Sequence, residues 1–157
     1  MSTREMLVGA VAPPIHAQDD NETDFDLGSL HGKNVVLYFY PKADTPGCTK
    51  ESCEFRDHAE KFTKEDTVIV GVSPDKAAAQ AKFKTKFDLP FTLLADLEHK
   101  VAEAYGVWKE KSMYGKKYMG IERTTFLIGK DGKIARIFQK VKPEGHAEQV
   151  FEALKAM

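Results

Sequence analysis

Three short apolar runs, separated by helix-length stretches, constrain this chain more than any other feature. They are "VVLYFY" (residues 35–40), "TVIVGV" (67–72) and "FTLLAD" (91–96). The first is β-branched or aromatic at nearly every position, so it reads as a strand buried on both faces. The second reads as another central strand and the third as a further one. Pro41 ends the first run, and a helix is expected from 46 or 48 to about 64. Ser73, Pro74 and Asp75 offer an N-cap, a first helical residue and a first-turn acid for a second helix ending near 87. Residues 97–105 form a short helix stopped by Gly106. "RTTFLIGKDGKIARIF" (123–138) reads as a hairpin, with Asp131-Gly132 suited to the positive φ angles of a tight turn. Residues 143–157 make an amphipathic helix with Val150, Phe151 and Leu154 on one side. Residues 1–14 read as an irregular or edge lead-in, 23–34 as a short strand or hairpin pair, and the aperiodic, basic 107–120 as a loop.

After the N-terminal hairpin the order is β–α–β–α–β–α–β–β–α. Alternating units require a mainly parallel sheet covered on both faces, and the late hairpin adds an antiparallel edge. The expected class is therefore α/β: a thioredoxin-like fold with a central mixed sheet, helices on both faces and an N-terminal β-hairpin extension. The chain has 157 residues and no internal repeat or linker, so residues 1–157 are read as a single domain. Net charge is −1, which gives no footing for nucleic acid or an anionic membrane. No apolar run approaches the roughly 20 residues that span a bilayer. "MSTREMLVGAVAPP" lacks the basic lead of a signal peptide, so a cytoplasmic location is expected. In that reducing compartment a structural disulfide is disfavoured, and a reactive role for cysteine gains weight.

The chain has two cysteines, Cys48 and Cys53, in "YPKADTPGCTKESC" (40–53). On a helical wheel of ~100° per residue, Ser52, Phe55, Ala59 and Phe62 fall within about 40° of Cys48. Cys48 thus shares the face that packs on the sheet. Cys53 lies about 140° away, beside Asp57 and Glu60. Five helical residues separate Cα atoms by about 8–9 Å, whereas a disulfide tolerates at most about 6.8 Å. The two sulfurs can meet only if the first helical turns unwind, so the reduced chain should be helical through Cys53 and the disulfide form should not. Cys48 follows a strand, a Pro-containing turn and Gly47, at a helix N-terminus. Free N–H groups and the positive end of the helix dipole favour its thiolate over its thiol. Thr45 is close enough for its hydroxyl to share that turn, as an ordinary N-cap or as part of a site.

Pro41, Thr45 and Cys48 in "PKADTPGC" match P-x-x-x-[T/S]-x-x-C, and the chain resembles the peroxiredoxins. "VVLYFYPKADTPGCTKESCEFRD", with "RTTFLI" downstream, is similar to their bacterioferritin-comigratory or Q-type branch. The likeness runs from "VGAVAPP" to the last helix. It implies a thiol-dependent peroxidase acting on hydrogen peroxide and organic hydroperoxides, with no cofactor or metal. It implies that Cys48 is the peroxidatic cysteine and Cys53 the resolving one, joined in an intramolecular disulfide. Thr45 and Arg123 would position the peroxide and stabilise the departing oxygen, and Pro41 would shield the site. The chemistry asks for an exposed, activated sulfur. The resemblance further implies thioredoxin or a similar dithiol protein as electron donor, and a monomer. Two departures are Ile15 where the branch usually has Phe, and Ala43 where it often has Asp. The chain also lacks the Gly-Gly-Leu-Gly and Tyr-Phe elements of easily over-oxidised relatives, so slow conversion to sulfinic acid is expected.

Rival readings fit less well. A thioredoxin-type oxidoreductase uses Cys-x-x-Cys, and a tyrosine-phosphatase loop needs an Arg where Glu54 or Ala59 stands. His16, His31, His58, His99 and His146 are scattered and read as surface or locally bonded, without zinc-ligand spacing. "GKDG" is better explained as a hairpin turn than as a phosphate cradle. A non-catalytic module binding partners through Trp108, Met113, Tyr114 and Tyr118 is the rival from another class, but these side chains are expected to pack their loop onto the body.

Overall fold

The apolar runs become the middle of one seven-stranded sheet in the computed structural model, which describes residues 6–157. The strand order is β2-β1-β5-β4-β3-β8-β9. Here β1 is His16–Asp19, β2 Asp24–Asp26, β3 Asn34–Phe39, β4 Thr67–Ser73, β5 Thr92–Ala95, β8 Thr124–Ile128 and β9 Ile134–Phe138. Strands β3, β4 and β5 run parallel, whereas β1 on β5 and β8 on β3 are antiparallel. The sheet is therefore mixed, with every residue of β3 buried.

Side-chain alternation along β3 divides the core in two. Val36, Tyr38 and Tyr40 join Phe55, Phe62 and Phe83 on one face, with Val150 and Leu154. Those residues come from α1 (Pro46–Lys64), α2 (Ala77–Phe87) and α4 (His146–Lys155). Val35, Leu37 and Phe39 meet Val101, Tyr105 and Phe126 on the other face, covered by α3 (Lys100–Ala104). This is the thioredoxin-like α/β arrangement that the element order anticipates. No helix of the described residues is long and apolar enough to cross a membrane.

Several elements differ from the sequence reading. The N-terminal hairpin pairs β1 with β2, so it begins at His16, and residues 27–30 form a 3-10 turn. The lead-in over 6–14 touches the sheet edge through a Val11–Lys133 bridge, and the part of that expectation on residues 1–5 lies outside the described residues. The second helix starts at Ala77 with Lys76 as its N-cap residue. Ser73 does not cap it, because its hydroxyl donates to Asp75 Oδ2 at 2.6 Å as β4 ends.

Residues 107–120 are not a loop. They form an antiparallel ribbon of β6 (Trp108–Met113) and β7 (Lys116–Ile121), turned at Tyr114 and Gly115 with φ of 52° and 78°. Those two positive φ angles match the tight hairpin turn. The ribbon lacks apolar alternation because neither face is fully buried. Met113, Tyr114 and Tyr118 do not pack onto the body: Met113 is 55% and Tyr114 98% exposed. Only Trp108, which stacks on His99 at 4.0 Å, behaves as expected.

Candidate active site

Helix α1 starts where the loop after β3 turns back, and it carries both cysteines. Pro46 occupies the first helical turn, where a missing N–H is harmless. The first intrahelical bond runs from Thr49 N–H to Thr45 O at 2.8 Å. The N–H groups of Gly47 and Cys48 thus lie beyond the helical ladder, at the positive end of the dipole. Cys48, Ser52, Phe55 and Phe62 are buried, as the wheel requires, and Cys53 lies half-buried off that face. Both cysteines are free and the helix is unbroken between them.

Arg123 arrives from a distant part of the chain, one residue before β8. Because β8 pairs antiparallel with β3, its start lies beside the end of β3 where the loop leaves. Arg123 Nη2 donates to Cys48 Sγ at 3.3 Å and Nη1 to Glu51 Oε1 at 2.7 Å. The planar guanidinium thus bridges two side chains one turn apart on α1. Gly47 makes room for it: a Cβ there would stand 3.1 Å from Arg123 Nη2.

Local sequence patterning does not single out Glu51, and its place three residues after Cys48 is the one signal it offers. It is enclosed, its second oxygen Oε2 has no hydrogen-bond partner, and burial pushes its carboxyl up to about 7 against the pull of Arg123. Partial burial likewise pushes the Cys53 thiol up, offset in part by the Arg56 guanidinium.

The loop before the helix is pinned from below. Ala43 N–H donates to Asp75 Oδ2 at 2.7 Å. Tyr40 donates to Gln80 Oε1 at 2.6 Å, and Gln80 Nε2 donates to Ser73 Oγ and Leu94 O, each at 2.8 Å. Thr45 is the N-cap residue by position, yet its hydroxyl makes no cap bond and donates backwards to Lys42 O at 2.8 Å. Pro41 is half-buried where β3 gives way to this loop.

Geometry therefore joins Cys48 directly to Arg123, places Thr45 and Pro41 in the loop leading to Cys48, and keeps Cys53 apart on the helix. Cys48 is 1% exposed, because the core face of α1 that carries it lies against the sheet, as the wheel predicts, and this resting position falls short of the exposed sulfur that the chemistry asks for. His146 is the locally bonded kind of histidine and not a surface one, its Nδ1 lying 3.1 Å from Gln149 Oε1. It is packed edge-on against Phe55 and Phe138, with Nε2 2.7 Å from Thr125 Oγ1, and burial holds its imidazole below the ordinary range.

Comparison with known proteins gives a consistent result. Residues 8–137 match the AhpC/TSA family. Peroxiredoxin Bcp of Bacillus subtilis is 50% identical over 150 residues, covering 96% of each chain. Peroxiredoxin Bcp of Escherichia coli is 42% identical over 147 residues, 94% of each. A structure of the Xanthomonas campestris bacterioferritin comigratory protein, described for its alkyl peroxide reduction activity, superposes with a TM-score of 0.87 at 39% identity over 90% of each chain.

Proposed function

We propose a complete peroxidase cycle from one premise: the chain belongs to the AhpC/TSA family and is a peroxiredoxin of the Bcp and Q-type branch. The observation that carries the cycle is the Arg123 guanidinium at 3.3 Å from the Cys48 sulfur. A cation there compensates charge on the thiolate and faces the oxygen that must leave.

In the first step the Cys48 thiolate attacks the terminal oxygen of a hydroperoxide, ROOH. The S–O bond forms as the O–O bond breaks. Cys48 is oxidised to sulfenic acid and ROO–H is reduced to an alkoxide, or to hydroxide from hydrogen peroxide, which takes a proton to give ROH or water. Developing charge on the leaving oxygen is stabilised by Arg123, by the free N–H groups at the start of α1 and by the Thr45 hydroxyl once it rotates from Lys42 O. Pro41 covers the site from the loop side.

Cys53 then resolves the sulfenic acid. Its sulfur attacks Cys48 Sγ, the S–S bond forms, the S–O bond breaks, and hydroxide leaves with the Cys53 proton as water. The attack requires the first turns of α1 to unwind, because the intact helix keeps the two residues too far apart. Exposure on unwinding also removes the burial that holds Cys53 as a thiol. A dithiol protein such as thioredoxin returns both cysteines to thiols by exchange. Likeness to a relative described for alkyl peroxide reduction supports organic hydroperoxides beside hydrogen peroxide.

One equivalent of hydrogen peroxide added to reduced protein should remove both free thiols and leave a Cys48–Cys53 bond in a peptide map. Cys48→Ser should abolish the loss, and Cys53→Ser should stop at one thiol lost and a trappable sulfenic acid. Retention of both thiols in the unaltered protein would sink the cycle.

A further inference from the structure

The β6–β7 ribbon presents a lysine that the cycle leaves unused. Pairing places Lys109, Lys111 and Met113 of β6 on the same face as Gly120, Tyr118 and Lys116 of β7. Lys109 is committed, with Nζ 2.8 Å from Glu122 Oε2. Lys111 is half-buried, and among the described residues its ammonium forms no hydrogen bond or ion pair. Its stem crosses Gly120: a Cβ built there would lie 3.4 Å from Lys111 Cδ and 3.7 Å from Cε. Lys111 pairs with Tyr118, so the side chain leans along β7 toward its end, where Glu122 and Arg123 follow.

The electrostatics agree with that direction. Partial burial, and then the charge of Arg123, hold the Lys111 ammonium below the ordinary lysine range, while Glu122 and Cys48 pull it back up. Lys111 therefore stands within electrostatic reach of both members of the Cys48–Arg123 pair. Glu122 is already engaged by Lys109. A half-desolvated cation held near a guanidinium and lacking a carboxylate of its own is stabilised by an anion arriving beside it. The exposed Tyr118 and Met113 on the same face add apolar surface next to that charge.

We propose that Lys111 is a specificity residue that favours hydroperoxides bearing a carboxylate over neutral ones of the same shape. The carboxylate pairs with the Lys111 ammonium while the peroxide group faces Cys48 and Arg123. This rests on the peroxidase reading of that pair.

The test compares a short tertiary alkyl hydroperoxide carrying a carboxylate with its methyl ester, measuring the second-order rate of Cys48 oxidation. The two probes differ in charge and in one methyl group, and the change of their rate ratio between variants isolates the charge at Lys111. Hydrogen peroxide serves as the control for the intrinsic reactivity of Cys48. Lys111→Gln should lower the acid-to-ester rate ratio by about fivefold, the size expected of one charge acting through a mostly aqueous gap. Lys111→Arg should keep the ratio, and raised salt should shrink it in the unaltered protein. A ratio unchanged by Lys111→Gln, or near unity in the unaltered protein while hydrogen peroxide still reacts, overturns the inference. Failure of the unaltered protein to react with hydrogen peroxide overturns the peroxidase reading instead, and this inference with it.

Discussion

Ser52→Ala should accelerate the joining of Cys48 to Cys53 by about tenfold. Ser52 sits between the two cysteines on the buried face of α1, with Oγ 2.9 Å from the Tyr38 hydroxyl. Tyr38 is fully enclosed and stacked on Phe55 at 4.8 Å and Tyr40 at 5.4 Å, so its ring cannot follow the lost partner. In the variant the Tyr38 hydroxyl stays buried and unpaired while the helix is wound, at a cost of about 1–3 kcal/mol. Unwinding admits water to that hydroxyl, so the cost falls on the wound form alone. Better helix propensity of Ala works the other way by roughly 0.5 kcal/mol. The remainder centres near 1.5 kcal/mol, which is a factor of about ten in the opening equilibrium. Stopped-flow mixing with one equivalent of hydrogen peroxide separates formation of the sulfenic acid from the later loss of the second thiol. The first phase should be unchanged and the second faster. Adding Tyr38→Phe to Ser52→Ala removes the orphaned hydroxyl and should return the second phase close to its original rate. A second phase that is unchanged or slower in Ser52→Ala would show that this contact does not hold the gate.

Two further outcomes follow from the site. The folded state holds the Glu51 proton up to about 7, above its ordinary value of 4.5, chiefly through burial. The stability this gives is fully present below about 4.5 and is lost as pH rises through about 7, amounting to at most about 3 kcal/mol. Glu51→Gln should flatten that fall, and parallel denaturant-unfolding profiles for the two proteins between those pH values would contradict it. Gly47→Ala should leave thermal stability within about 1 kcal/mol, since Ala suits a helix better than Gly. Its Cβ, 3.1 Å from Arg123 Nη2, should displace the guanidinium from Cys48 and slow peroxide consumption by about tenfold. Equal peroxide rates in Gly47→Ala and the parent would mean that Arg123 gives way without consequence.

What the sequence makes legible here depends on whether one segment carries its own cause. β3 is apolar throughout, so its burial on both faces could be read directly, and α1 announces its start with Pro46 and its buried stripe with Cys48, Phe55 and Phe62. The β6–β7 ribbon has no such stripe because little of it is buried, so it reads as a loop, and its one local signal is the glycine of the Tyr114-Gly115 turn. Ser73-Pro74-Asp75 has the composition of a helix start, yet Asp75 is drawn off to Ala43 N–H across the sheet end, a partner that no local pattern discloses. Glu51 follows the same rule from the opposite side. On a wheel it is a charged residue on an apolar face and looks like an error of patterning. It becomes intelligible only when antiparallel pairing of β8 with β3 delivers Arg123 to the helix. Removing Arg123 should therefore do more than slow chemistry, because it strands a carboxyl that has one orphaned oxygen already. The same guanidinium therefore belongs to the fold, as the partner of Glu51 Oε1, and to the site, as the donor to Cys48 Sγ.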